Sequence, residues 1–374
     1  MTELSRPGVV TVLIVDDSGV QRRFLRAALD CADGEFDVIA EARNGREAVA
    51  LVERLHPAAV LMDLDLPVMS GLEAIERIMS SRPTPILVYS AFVGGQRSQN
   101  ALDALAAGAV DVLAKPGPDD ARTIEEHATA LRRAMRVAAR VRVITHPRGR
   151  LRSRGMGGST PALGGGDRRP LSTPCPEDPG FTGEVLLMVI GASTGGPQAL
   201  LTVLAALPTD LRQAVLVVQH MADGFIPGLA AWLDGLIPLP VVVGKSGKPL
   251  ARGTVTIAPS GVNLLVQDDR LRVLCVPPDP GQFHVPGIDA TFASVAQSLG
   301  PRAIGVLLTG MGRDGAAGLL TMRERGSLTF GQDEATSTVY GMPAAALALS
   351  AIERQLPLDQ VASALLVAVG RVPA

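Results

Sequence analysis

Aromatic residues are scarce in this chain: they make up 3% of 374 residues, with a single Trp and two Tyr. Proteins that hold single-stranded nucleic acid stack bases on aromatic faces, and this composition supplies few. Charge is nearly balanced, 35 Lys and Arg against 37 Asp and Glu, so the net is −2. No basic field is available to hold a phosphate backbone. Nucleic acid is therefore not expected as a partner. Cysteine is rare too: Cys31, Cys175 and Cys275 lie far apart and are odd in number. They form neither a disulfide framework nor a metal-ligand spacing. No apolar run approaches the roughly 20 residues of a membrane helix. The opening MTELSRPG lacks the basic and apolar regions of a signal peptide. A reducing, cytoplasmic setting with no direct membrane insertion is expected.

Apolar residues make up 47% of the chain, enough for two cores at about 150 residues per domain. From residue 9 to 143, short apolar runs alternate with helix-length amphipathic stretches. VVTVLIV, FDVIA, AAVLM, PILVYS and VDVLA read as strands, and the alternation predicts a parallel sheet with helices on both faces. Residues 144–183 are rich in Gly, Pro, Ser and Arg without apolar periodicity, which predicts a flexible linker. Its Arg148, Arg150, Arg152 and Arg154 read first as a solvated charge run. A second α/β pattern occupies 184–370, with strands at VLLMVI, AVLVVQ, PVVV, TVTIA, LLVQ, LRVLCV and AIGVLLT. Asp268-Asp269 between two apolar runs predicts a small antiparallel hairpin.

In the first pattern, acidic residues fall at strand ends. Asp16-Asp17 close the first strand, Asp63 the third and Ser90 the fourth, and the fifth leads to Lys115. Ligands bind beyond the carboxyl ends of such strands, where clustered carboxylates suit Mg²⁺, a hard cation that prefers oxygen. This set resembles the receiver domain of response regulators, a (βα)5, flavodoxin-like fold. The resemblance implies Asp63 as phospho-acceptor, with Mg²⁺ on Asp16, Asp17, Asp63 and the Asp65 carbonyl. It also implies phosphoryl contacts from Ser90 and Lys115, and a histidine kinase as phosphodonor. Where the family often carries an aromatic three residues before the Lys, this chain has Val112.

In the second pattern, GASTG (Gly191–Gly195) satisfies G-x-S-x-G and sets Ser193 between a buried strand and a helix. Taken alone, the turn has other readings: Ser at a helix start is often an N-cap, and Gly-rich βα turns often bind phosphate. Of five histidines, only His220 and His284 lie in this half. His220 ends the strand after the serine turn, whereas His284, in the loop HVPGID, would line the site or cap a helix. LLTGMGRDGAAG puts Asp314 in a second Gly-rich turn. A nucleophile needs a base to take its proton and an acid to fix the base's tautomer. The order Ser…His…Asp differs from that of α/β-hydrolases.

GASTGGP, QHM, TGMGRDG and QDEATSTVYGMP are similar to the motifs of chemotaxis protein-glutamate methylesterases, the CheB family. The resemblance implies a Rossmann-like, mainly parallel catalytic domain, with Ser193 as nucleophile, His220 as base and Asp314 as its orienter. Thr194 and the backbone at Met311 become candidates for the oxyanion site. It further implies a phosphorylation-activated hydrolase acting on γ-methyl esters of chemoreceptor glutamates, and on specific receptor glutamines, with no cofactor at the esterase site. Two positions depart from the family: Asn263 stands where a His is common, and Gly287 where HxPSVD has Ser. Two rivals stay open, a non-enzymatic regulator whose second domain binds a partner and a nucleotide-binding α/β domain.

Overall fold

The computed structural model describes residues 9–30, 34–91, 96–117, 123–141, 184–222, 224–282 and 284–370. The expected linker, with its arginine cluster, lies outside them, as do Cys31 and Cys175.

The first half alternates β1 (Val10–Val15), α1 (Gly19–Asp30), β2 (Phe36–Ala42), α2 (Gly45–Leu55), β3 (Ala59–Met62) and α3 (Gly71–Ser81). It continues with β4 (Ile86–Ala91), α4 (Gln96–Ala106), β5 (Asp111–Lys115) and α5 (Ile124–Ala138). The five strands form one parallel sheet in the order β2-β1-β3-β4-β5. Strands covered on both faces read as unbroken Val, Ile and Leu, and the side chains of AVLM in β3 are all buried. Polar side chains set the starts of α2, α3 and α5. Asn44 accepts from the Glu47 N–H at 2.9 Å, and Thr123 with Glu126 makes a reciprocal capping box.

The second half runs β6 (Leu187–Ala192), α6 (Gly196–Leu204), β7 (Ala214–Gln219), α7 (Phe225–Asp234), β8 (Val241–Val243) and β9 (Val255–Ile257). Then follow β10 (Asn263–Val266), β11 (Val273–Val276), α8 (Ile288–Leu299), β12 (Ala303–Leu307) and α9 (Ala316–Glu324). It closes with β13 (Leu328–Gln332), α10 (Met342–Ala348), β14 (Arg354–Leu356) and α11 (Leu358–Ala368). Seven strands form a parallel sheet, β14-β13-β12-β6-β7-β9-β8, while β10 and β11 pair antiparallel beside it. The expected fold class is thus the observed one, hairpin included. Strands β13 and β14 and helices α7, α10 and α11 go beyond the sequence reading.

Strand order reverses at β1 in the first sheet and at β6 in the second, and such switch points open crevices beyond the strands' carboxyl ends. The two halves touch. Helix α4 packs against α6 and α7, with Ala101 and Leu105 in one apolar cluster with Phe225 and Ile226. The Gln198 amide also donates to the Leu105 carbonyl at 2.9 Å. No helix among the described residues is long and apolar enough to cross a membrane.

Candidate active site

Strands β6 and β7 are adjacent and in register, with Ala192 opposite Gln219, so the residues that follow them emerge side by side. These are Ser193 and His220. The His220 N–H donates to the Ala192 carbonyl at 3.0 Å. The Gln219 amide donates to the carbonyls of Ser193 (2.9 Å) and His220 (2.8 Å), tying the two turns together. On the other flank of β6, the Ser193 N–H donates to Thr309 beyond β12. Gly195 adopts φ +77 ahead of α6, a region open to glycine at little cost. Its missing Cβ leaves room for Thr338.

Asp314 follows β12 and reaches across to the histidine, with His220 Nε2 lying 2.8 Å from Asp314 Oδ2. The same carboxylate accepts the N–H groups of Ile288 (2.8 Å), Asp289 (2.9 Å) and Gly315 (3.0 Å). Two of these belong to the first turn of α8, where unpaired N–H groups and the helix dipole favour an anion. Burial acts to raise the pKa of Asp314. The His220 hydrogen bond, the His220 charge and the backbone donors outweigh it and hold the group at about 2. Neighbouring Asp289 is pushed the other way, chiefly by burial and also by the Asp314 charge. With Nε2 engaged by the acid, His220 keeps Nδ1 as its second nitrogen. That atom is buried and has no hydrogen-bond partner among the described residues.

His284, one of the two histidines that sequence leaves open, stacks on His220 with ring centroids 4.4 Å apart and planes 7° from parallel. Gly310 and Met311 share the turn beside the serine. A Cβ on Gly310 would stand 2.7 Å from Ser193 Cβ, so the turn closes tightly over that residue. Thr194, the other oxyanion candidate, gives its hydroxyl to Asp111 Oδ2 of β5 at 2.8 Å. Burial at this contact raises the Asp111 carboxyl above its ordinary range. A residue of the first half thereby touches the neighbour of the candidate nucleophile. Sequence reasoning does not find Asp111, and no local motif announces it.

In the first half, the expected pocket residues converge. Carboxylate oxygens of Asp16, Asp17 and Asp63 lie within 4.8 Å of one another. Lys115 Nζ bridges Asp16 (2.7 Å) and Asp63 (2.6 Å), and Ser90 is buried at the end of β4. Burial raises the pKa of Asp63 despite Lys115. The same two carboxylates raise that of Lys115 against its own burial. Three carboxylates against one ammonium leave excess negative charge on oxygen donors, a set that fits a hard divalent cation.

The chain also has recognisable relatives. The family model for CheB methylesterase matches residues 188–365, and that for the response regulator receiver domain matches 12–126. A protein-glutamate methylesterase/protein-glutamine glutaminase of Paramagnetospirillum magneticum is 44% identical over 96% of this chain and 96% of its own. One from Anaeromyxobacter dehalogenans is 41% identical over 95% and 96%. The crystal structure of the Thermotoga maritima CheB methylesterase catalytic domain is 31% identical, spanning 49% of this chain and 97% of that one, with a TM-score of 0.47. With near-complete coverage at this identity, the chain belongs to the CheB family of protein-glutamate methylesterases/protein-glutamine glutaminases.

Proposed function

We propose that the chain is a serine esterase under receiver control, hydrolysing glutamate γ-methyl esters on the cytoplasmic helices of chemoreceptors and deamidating specific glutamines at the same site. The observation that carries this reading is the His220–Asp314 contact at the strand end beside Ser193. Ser193 Oγ attacks the ester carbonyl and passes its proton to His220 Nδ1, while Asp314 holds the opposite nitrogen and offsets the imidazolium charge. His220 then protonates the departing methoxide to give methanol. Water, activated by the same base, frees the glutamate carboxylate and restores Ser193. Donors near Thr194 and Met311 face the developing oxyanion, where fixed dipoles act most strongly.

The control element is the receiver, taken as residues 9–143, joined through 144–183 to the catalytic domain at 184–370. Asp63 accepts a phosphoryl group from a chemotaxis histidine kinase, and Ser90 and Lys115 contact it. Asp16, Asp17, Asp63 and the Asp65 carbonyl would hold Mg²⁺, whose charge offsets repulsion among the carboxylates and the incoming phosphoryl oxygens. The Asp111–Thr194 bond and the packing of α4 on α6 and α7 support a closed state in which the receiver blocks bulky receptor helices. Phosphorylation shifts the population away from it by as much as it stabilises the open state. With Val112 in place of an aromatic, that shift runs without an aromatic rotamer switch at this position. With such partners, the protein works in the cytoplasm. A fluorophosphonate probe tests the catalytic half. Label confined to Ser193, and lost in His220→Ala, is expected; label on another residue would count against the assignment.

A further inference from the structure

His284 belongs to no part of the scheme above, yet its ring lies flat against the base. We infer that His284 is a positioning residue for the esterase reaction, its neutral ring fixing the plane of His220 so that Nδ1 meets the nucleophile. The inference rests on the Ser193–His220 reading of the site.

Two rings 4.4 Å apart and within 7° of parallel restrict each other's rotation about Cβ–Cγ. Asp314 anchors only one edge of His220, at Nε2. A single hydrogen bond leaves the ring free to tilt about that point, and a stacked face removes this freedom. The stack also has an electrostatic use. When His220 takes the proton, the imidazolium lies over a neutral π-face, an arrangement that favours cations. His284 must itself stay uncharged for this. The groups around it are His220, Asp314 and Arg133 of α5, and burial followed by the His220 charge lowers its pKa to about 4.

The loop that carries His284 is built to hold it. Gln282 Nε2 donates to the His284 carbonyl at 2.7 Å and to Asn263 Oδ1 at 2.9 Å. The Asn263 amide returns a bond to Gln282 Oε1 at 2.8 Å, and Asn263 Oδ1 also accepts the Gly287 N–H at 2.7 Å. A Cβ on Gly287 would collide with the Gln282 amide nitrogen. The two departures from the family pattern, Asn263 and Gly287, are thus parts of one amide network ending at His284. Neither stands alone.

The test compares His284→Ala, His284→Phe and Ser193→Ala in the full chain, by kcat and KM for methanol release from a methylated receptor fragment. His284→Ala should lower kcat roughly tenfold to a hundredfold with KM little changed, because orientation of the base is lost rather than binding. His284→Phe keeps the stacked face without a titrating or hydrogen-bonding nitrogen, and should recover to within about threefold of the native rate. Carbon relaxation of the His220 ring should show a fixed ring in the native chain and in His284→Phe, and a mobile one in His284→Ala. Gln282→Ala, which spares the ring, should lower kcat in the same direction and add little in His284→Ala. Equal impairment by Phe and Ala, or native activity and a fixed His220 ring in His284→Ala, would overturn the inference. Full activity in Ser193→Ala would instead overturn the reading on which it rests.

Discussion

In the proposed unit of Ser193, His220 and Asp314, each residue supplies what the next lacks. The hydroxyl is a poor nucleophile until its proton has somewhere to go, and the imidazole is a directed base only while the acid fixes its tautomer. Single replacements of the three by Ala should each lower kcat by about three orders of magnitude or more. The losses should not multiply in double variants, because members of such a unit fail together. Double variants whose losses multiply would break the grouping. Asp314 carries a second signature. Its folded pKa of about 2 lies below the ordinary 3.8. Its stabilisation is therefore present above about pH 3.8 and lost as pH falls towards about 2. Denaturant unfolding followed across that window should be steeper in pH for the native chain than for Asp314→Asn. Equal slopes would show that the carboxylate is not held as described.

Strands and turns do the placing. Ser193 and His220 meet because β6 and β7 are parallel neighbours in register, and the turn at Gly310 closes on the serine from β12. A methyl group at Gly310 would meet Met342 and Ser193 Cβ. Gly310→Ala should therefore cost activity and about 1–3 kcal/mol of stability, as overpacking does. Gly247 instead has a positive φ and open space around the missing Cβ, so Gly247→Ala should keep native activity while costing about 1 kcal/mol of stability from backbone strain. Activity assays with chemical denaturation separate the two, and an active Gly310→Ala enzyme would contradict the packing argument. The same elements show how far sequence carries. Unbroken apolar runs make β1, β3, β6 and β7 legible, since both their faces are covered. LTFGQ in β13 and RQL in β14 are short and partly polar, so β13 rests on its pairing with β12, and β14 on its pairing with β13, rather than on their own pattern. Helix α7 hides behind Pro227 and Gly228 in its first turn. Within the site, Ser193, His220 and Asp314 are legible because each sits in a turn at a strand end. Asp111 meets Thr194 across 83 residues, and Asn263, Gln282 and Gly287 meet only in the folded loop. Contacts of that kind leave no local trace.

For the whole molecule, the proposed function makes the contact between the two halves the link from Asp63 to Ser193. Among the described residues, the interface mixes a small apolar patch with polar bonds from Thr194 and Gln198. Such interfaces are weak alone but stay closed when both partners share one chain. Removing the carboxylate with Asp111→Ala frees the Thr194 hydroxyl and leaves Ser193, His220 and Asp314 untouched. The unphosphorylated enzyme should then be about fivefold to fiftyfold faster, a shift of the size typical for coupling between sites. Phosphodonor should add less to it than to the native chain, and an unchanged basal rate would remove Asp111 from the latch. The most direct measurement of the account is methanol release from a methylated chemoreceptor fragment by the intact chain, with and without a small phosphodonor and Mg²⁺. The native rate should rise with phosphodonor, Asp63→Asn should abolish the rise, and Ser193→Ala should show no release under either condition. Methanol release that persists in Ser193→Ala, or that ignores phosphodonor in the native chain, would contradict it.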